Sequence, residues 1–420
     1  MQGREKCIYM LSLLCLPLVN QLTAQSRDTV DSTGADYGEL KVLTAYDNPG
    51  SKSGHISLGL FDGVFNSYFD FKDRFQAKTG LNYMIEYAPI FQWDFGGDGG
   101  SNFNDELNLI GQWALVDKEN PSRGNLIMWY QLSHTIGSQT TTEFMEELGI
   151  ITPVNGGDTH PVTTNGRFVH FAWEQYFLDE KIRLMVGKLS SRVFLNLNRY
   201  GVSDREDFIN FMFVNNPVVP FIARQGLGAF VKYNQGSWYL GGMFRDATAS
   251  NDFIDFESLK DNSWEYALEL GLTPSDFLGL GEGNYRFTFH CTDSLSTGLA
   301  HPSGWTLSLS FDQDLGDKLG AMFRYSYASE DFLAFKERFV LGAQVLTPFN
   351  FQNDRIGVGF WWGRSVDKQL DPEFGLEAYW KIQFTPFMEF SPDLQVVLNP
   401  AKNHEKDALF IGGLRFRVVL

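Results

Sequence analysis

The segment from Asp407 to Leu420 constrains the fold most. Read from Ala408, every second residue gives Ala408, Phe410, Gly412, Leu414, Phe416, Val418 and Leu420; the interleaved set is Leu409, Ile411, Gly413, Arg415, Arg417 and Val419. A side-chain period of two belongs to a β-strand, so one face is apolar and the other carries two arginines. The same pattern, with an aromatic-rich apolar face, recurs along the chain, and no competing soluble core is visible.

Composition agrees with strands that meet lipid on one side and water on the other. Aromatic residues are 15% of the chain, yet mean hydropathy is −0.20. A membrane helix needs about 18 or more consecutive apolar residues, and no such run occurs. Alternating membrane strands give this combination, because half of each strand faces water.

Residues 1–24 read as a secretory signal: Arg4 and Lys6 precede an apolar stretch from Ile8 to Val19, and small or polar residues surround Ala24. Losing them would deepen the net charge of −17 by one, a balance that disfavours nucleic acid as a partner. Cys7 and Cys15 would leave too, and Cys291 alone cannot form a disulfide scaffold or a cysteine-ligated metal centre. The seven histidines show no zinc spacing, and no nucleophile elbow or Walker loop occurs. No cofactor, metal or catalytic residue is expected.

Residues 25–55 are polar and read as a flexible segment. Over 56–79, Leu60, Phe61, Val64, Phe65, Tyr68, Phe69 and Phe75 recur at helical spacing up to Gly80, giving an amphipathic helix. Two roles suit it: packing against the end of the domain, or binding a membrane surface. From Leu81 the period becomes two. Strands are predicted over 81–95, 105–116, 124–134, 167–178, 181–189, 226–234, 237–246, 263–273, 283–293, 303–313, 318–329, 337–347, 354–364, 374–385, 388–398 and 407–420. They make sixteen, an even number as a closed antiparallel barrel requires. If the first strand runs outward, the tight links 179–180, 235–236 and 314–317 lie on the periplasmic side and the long links 135–166 and 190–225 on the outer side. The expected fold is all-β: a 16-stranded antiparallel transmembrane barrel over 81–420, with the short helix before it.

A cation facing lipid at mid-membrane costs about 2–4 kcal/mol, so Arg286, Arg324, Lys381, Arg415 and Arg417 should point inward. Glu86, Glu174, Glu265, Glu269 and Glu377 share that side, with Arg338, Trp361 and Tyr239. Opposed charges with aromatic rings suit a polar, uncharged solute with hydroxyl edges and C–H faces, as sugars have. In the bland alternative these charges pair with one another and hydrate the wall. Link 190–225 either folds inward, placing Arg199 and Arg224 at a constriction, or lies on the rim. The Gly96–Asp105 stretch reads as a hydrated outer loop, with calcium binding as the alternative.

The runs Glu377-Ala-Tyr-Trp-Lys-Ile-Gln-Phe-Thr-Pro, Ser391-Pro-Asp-Leu-Gln-Val-Val-Leu-Asn-Pro and Gly413-Leu-Arg-Phe-Arg resemble the C-terminal signature of the OprB-type carbohydrate-selective porins. The order of helix, Gly80 and long first strand is similar to that family, as is Val186-Gly-Lys-Leu before the third outer loop. The resemblance, over 56–420, implies a Gram-negative outer-membrane channel, in contact with outer-membrane lipid, that passes mono- and small oligosaccharides. It carries over no sugar-contact residue and leaves a homotrimer open as the assembly. The rivals are a porin for organic acids or general solutes, a barrel lipase or protease using Asp204, Glu206 and Asp207 at its rim, and a soluble β-sandwich lectin.

Overall fold

Alternation along the strands resolves into one closed sheet. The structure, a computed structural model, describes residues 52–97, 99–116, 124–156, 166–219, 225–248, 253–296 and 300–420. The signal segment, most of the polar segment after it, and Arg224 lie outside the described residues. The strands are β1 (Leu81–Asp94), β2 (Ser101–Val116), β3 (Gly124–Thr135), β4 (Gly166–Phe177), β5 (Ile182–Ser190), β6 (Gln225–Asn234), β7 (Trp238–Asp246) and β8 (Trp264–Leu272). They continue as β9 (Gly283–Thr292), β10 (Gly304–Asp314), β11 (Leu319–Ala328), β12 (Phe335–Leu346), β13 (Arg355–Ser365), β14 (Glu373–Thr385), β15 (Met388–Leu398) and β16 (Ala408–Val419). Each pairs antiparallel with its sequence neighbours, and β1 pairs with β16 to close the barrel. At the seam Tyr87 lies opposite Val418 and Ile90 opposite Arg415, so no strand edge is left to lipid.

The turns divide by side as expected. Residues 178–181, 235–237, 315–318 and 386–387 make tight connections at the end where β1 begins and β16 finishes. Gly236 and Gly316 take φ of 78° and 71°, values that a residue without Cβ adopts freely in so short a turn. Connections 136–165, 191–224 and 247–263 leave from the opposite end.

Helix α1 (Leu60–Thr79) stops at Gly80, whose left-handed backbone returns its N–H to Gln76 O at 2.7 Å. It begins at Leu60 rather than 56 because the preceding residues are held extended: the His55 and Ile56 amides donate to Gln383 O and Phe384 O, both at 3.0 Å. One expectation is corrected at the outer end of β2. The strand begins at Ser101, so Asn102 and Asn104 are inward strand residues rather than members of a hydrated loop. Both carboxamides are taken up by a second connection: Asn102 donates to Gln139 O at 3.0 Å and Asn104 to Asn155 Oδ1 at 3.1 Å.

Burial alternates along most of the strands, with outward side chains mainly apolar and inward ones mainly polar; β11, for example, exposes Leu319 outward and buries Met322, Arg324 and Ser326. Leu341 on β12 projects outward between Phe323 and Phe360, 46% exposed. Leu341→Arg is therefore expected to cost about 2–4 kcal/mol at the bilayer midplane and to lower the folded fraction recovered in vesicles, read as heat-modifiable mobility on gels. An undiminished folded yield would mean the faces are reversed.

Candidate functional site

The lumen is where the polar half of each strand converges, and the connection between β5 and β6 is folded into it. Residues 191–219 descend from the outer end, cross the barrel and return, and almost all are buried. Such irregular backbone loses its water, so each amide and carbonyl needs a partner within the barrel. The wall supplies partners sorted by charge. Arginines take the carbonyls. Arg286 donates to Leu197 O at 3.1 Å and Arg324 to Gly201 O at 3.1 Å. Arg338 donates to Met212 O at 2.9 Å and also to Asn215 O, while Arg415 donates to Asp204 O and Asp207 O, each at 2.6 Å. Glutamates take the amides. Glu377 accepts from Ile209 N at 2.5 Å and Asn210 N at 3.0 Å, and Glu269 from Asn196 N at 2.7 Å.

Space for the loop comes from inward glycines on β11, β12 and β13. A Cβ on Gly320 would overlap the Tyr200 ring, one on Gly359 the Phe213 ring, and one on Gly363 would press on Phe335 and Met212. Phe208 and Phe213 stack at 4.3 Å between ring centres against this smooth wall, and α3 (Phe211–Val214) forms the short helical part of the loop. The outcome is a packed half of the lumen, built like a protein core, beside a charged half.

The charged half lies on β14–β16 and β1–β2, toward the periplasmic end. Glu86 accepts from Arg417 Nε at 2.6 Å and from Arg205 Nε of the loop at 2.8 Å. Arg417 also bonds Glu389 at 3.0 Å, and Arg205 bonds Glu106 at 2.8 Å. Lys381 stands 3.5 Å from Glu206, whose side chain is 32% exposed and so is the most open carboxylate of the network. At the far side of the loop, Arg199 bonds Asp312 at 2.5 Å and Asp314 at 3.1 Å, and Tyr200 donates to Asp314. Burial disfavours the Arg199 cation, yet Asp312 beside it raises its pKa above the usual arginine value.

A second insertion packs against the inner wall in the outer part of the barrel. Within 136–165, α2 (Thr141–Leu148) opens with a capping box: Thr140 accepts from Glu143 N at 3.2 Å, and Glu143 accepts from Thr140 N at 2.8 Å. Beyond it, Glu373 on β14 accepts from Ile151 N at 2.9 Å and Thr152 N at 3.0 Å.

All the described residues expected to face inward do so, but their work differs. Glu86, Lys381 and Arg417 join the charged network on β14–β16 and β1–β2, and Arg199 joins the separate one on Asp312 and Asp314 at the far side of the loop. Arg286, Arg324, Glu377 and Arg415 are anchors of the inserted loop. Glu174 is taken up by Arg183 at 2.6 Å, and Trp361, 1% exposed, is part of the packed core. Asp204, Glu206 and Asp207 lie inside the barrel rather than at its rim. Asp204 accepts from Gly156 N and Asp207 from Val202 N. Among the described residues no cluster of metal-ligating side chains occurs. Sequence reasoning missed Arg205, Glu106, Glu373 and Glu389 as site residues. The last three sit at inward strand positions, and the Thr140–Glu143 spacing is itself a helix-start signal.

A closed sixteen-stranded barrel narrowed by an inserted outer loop is a porin. The chain belongs to the OprB family of carbohydrate-selective porins, whose family model matches residues 124–420. It is similar to Porin AaxA of Chlamydia abortus, with 22% identity over 357 residues, 81% of this chain and 77% of that protein. Porin AaxA of Chlamydia pneumoniae is 27% identical over 318 residues, 73% of this chain and 70% of that protein. In fold it resembles Pseudomonas putida OprB in its high-pH structure, at TM-score 0.67 and 13% identity, covering 88% of this chain and 99% of that one.

The anchors make a direct prediction. Each hydrogen bond to a charged group is worth about 1.5–3 kcal/mol, so Arg338→Met should free the loop near Met212 and Asn215. With the barrel still folded, single-channel current should rise and become noisier. Current indistinguishable from that of the unmodified protein would mean the loop is held by other contacts.

Proposed function

We propose that this porin passes neutral polyhydroxylated solutes, mono- and small oligosaccharides, by passive diffusion across the outer membrane of a Gram-negative bacterium, without a catalytic step. The observation that carries this reading is the network of paired charges on the lumen wall, in which Glu86, Glu106, Glu389 and Glu206 meet Arg205, Arg417 and Lys381. Its donors and acceptors of both signs match hydroxyl groups, while pairing offsets all but one of its charges and so weakens the field that would draw in one sign of ion. The family's carbohydrate selectivity supports the same solute class.

Planar-bilayer conductance tests it. Glucose or a short maltodextrin should reduce the current in a concentration-dependent way, and Lys381→Met or Glu206→Gln should weaken that block. Block by small organic acids but not by sugars would overturn the solute class.

Self-association is part of the proposal, with a homotrimer as its form. On the outward face of β1–β3, the Tyr87 hydroxyl donates to Asp105 at 2.8 Å and His134 lies 3.0 Å from the same carboxylate. A carboxylate on a lipid-facing surface is better covered by a neighbouring protomer than by acyl chains. Mass photometry in detergent should give three protomer masses, shifting to one in Asp105→Arg; a single protomer mass for the unmodified protein would overturn it.

A further inference from the structure

Helix α1 has an apolar arc wider than the barrel covers. Phe69 is 1% exposed and is buried beside Phe387 in the β14–β15 turn, with Phe65 stacked on Phe387 at 3.8 Å. Val64 and Phe71, two turns apart on the neighbouring stripe, remain 64% and 49% exposed. This stripe has a definite position on the molecule. Phe71 stacks on Phe75 at 5.8 Å, Phe75 meets Tyr83 edge-on at 6.2 Å, and the Trp113 indole N–H donates to Thr79 O at 3.2 Å. Tyr83 and Trp113 are outward residues at the periplasmic ends of β1 and β2, in the aromatic girdle where a barrel meets the headgroups. The uncovered edge of α1 is therefore a continuation of the lipid-facing belt, not an isolated patch on the periplasmic surface.

We propose that α1 is an interfacial helix, lying along the periplasmic rim with Val64 and Phe71 seated at the headgroup–acyl boundary of the outer membrane's periplasmic leaflet. The inference rests on the reading that the barrel is embedded in that membrane. Lys72 is buried over the Tyr83 ring, and the other charges of the helix are mixed, Asp62, Asp70 and Asp73 with Arg74 and Lys78, so its attraction to the bilayer is apolar and needs no anionic lipid. Its polar side, with Asp70 and Ala77, faces the periplasm.

Single cysteines at Val64, Phe71, Asp70, Ala77 and Leu341, each in the full-length mature chain carrying Cys291→Ser, would be labelled with an environment-sensitive fluorophore. The proteins would be reconstituted into phosphatidylethanolamine–phosphatidylglycerol vesicles containing lipids brominated high and deep on the acyl chain, the former reporting on positions 64 and 71 and the latter on 341. The expected result is quenching at positions 64 and 71 comparable to that at 341 and several-fold greater than at 70 and 77, unchanged when phosphatidylglycerol is omitted. Strong quenching at 341 with none at 64 and 71 would overturn the helix assignment and leave the barrel's embedding intact. Absence of quenching at 341 would overturn the embedding, and the helix assignment with it. Blue-shifted but unquenched emission at 64 and 71 would give that edge to a protein contact and would equally overturn the proposal.

Discussion

Everything in the lumen depends on one requirement: an inserted loop must find hydrogen-bond partners where water is scarce. The wall meets it with charged side chains whose hydrogen-bonding sense is fixed. A guanidinium only donates and a carboxylate only accepts. Arg286, Arg324, Arg338 and Arg415 therefore stand where the loop turns its carbonyls, and Glu269 and Glu377 where it turns its amides. Glu373 repeats the device for the second insertion, accepting from Ile151 and Thr152. Charge-assisted bonds of this kind are roughly twice as strong as neutral ones, which suits a segment with little regular structure of its own.

Anchoring on one side only would leave the loop wandering across the channel. The inward glycines of β11–β13 prevent this by removing wall volume where Tyr200, Phe208 and Phe213 arrive, so that the aromatic part of the loop packs to core density. The packed part of the lumen thus lies against β11–β13, and the charged part against β14–β16 and β1–β2. There the wall presents Glu86, Arg417, Glu389 and Lys381, and the loop contributes Arg205 and Glu206 to the same network. Both walls of the passage are therefore fixed, one by the sheet and one by the anchored loop.

The barrel was legible in the sequence because lipid enforces a two-residue period on every strand. Parity alone placed Arg324 inward and Tyr325 outward, and the structure agrees. Parity does not say what an inward side chain meets. Arg286 and Arg417 carry the same signal, yet one binds a loop carbonyl and the other a wall carboxylate. That distinction depends on where residues 191–219 come to rest, and their conformation follows from contacts with strands from β8 round to β1 rather than from any local period. The start of α2 was readable from the Thr140–Glu143 spacing, whereas its place against Asn104 was not.

The same physics bears on selectivity. A net charge of −17, taken alone, favours cations in the channel. Field inside a narrow passage is set by the groups nearest it, and most of these are neutralised locally at 2.6–3.0 Å. What remains for a solute to sense is a dense array of donors and acceptors with little net potential. On the proposed reading such an array would discriminate by hydrogen-bonding capacity and width rather than by charge, because a small ion would gain little while a polyol could exchange its hydration shell for wall contacts. Arg205 and Glu206 belong to the loop, so the anchors that hold residues 204–207 against Arg415 also fix the spacing of that array. On that reading anchoring and selectivity are a single property of the inserted loop.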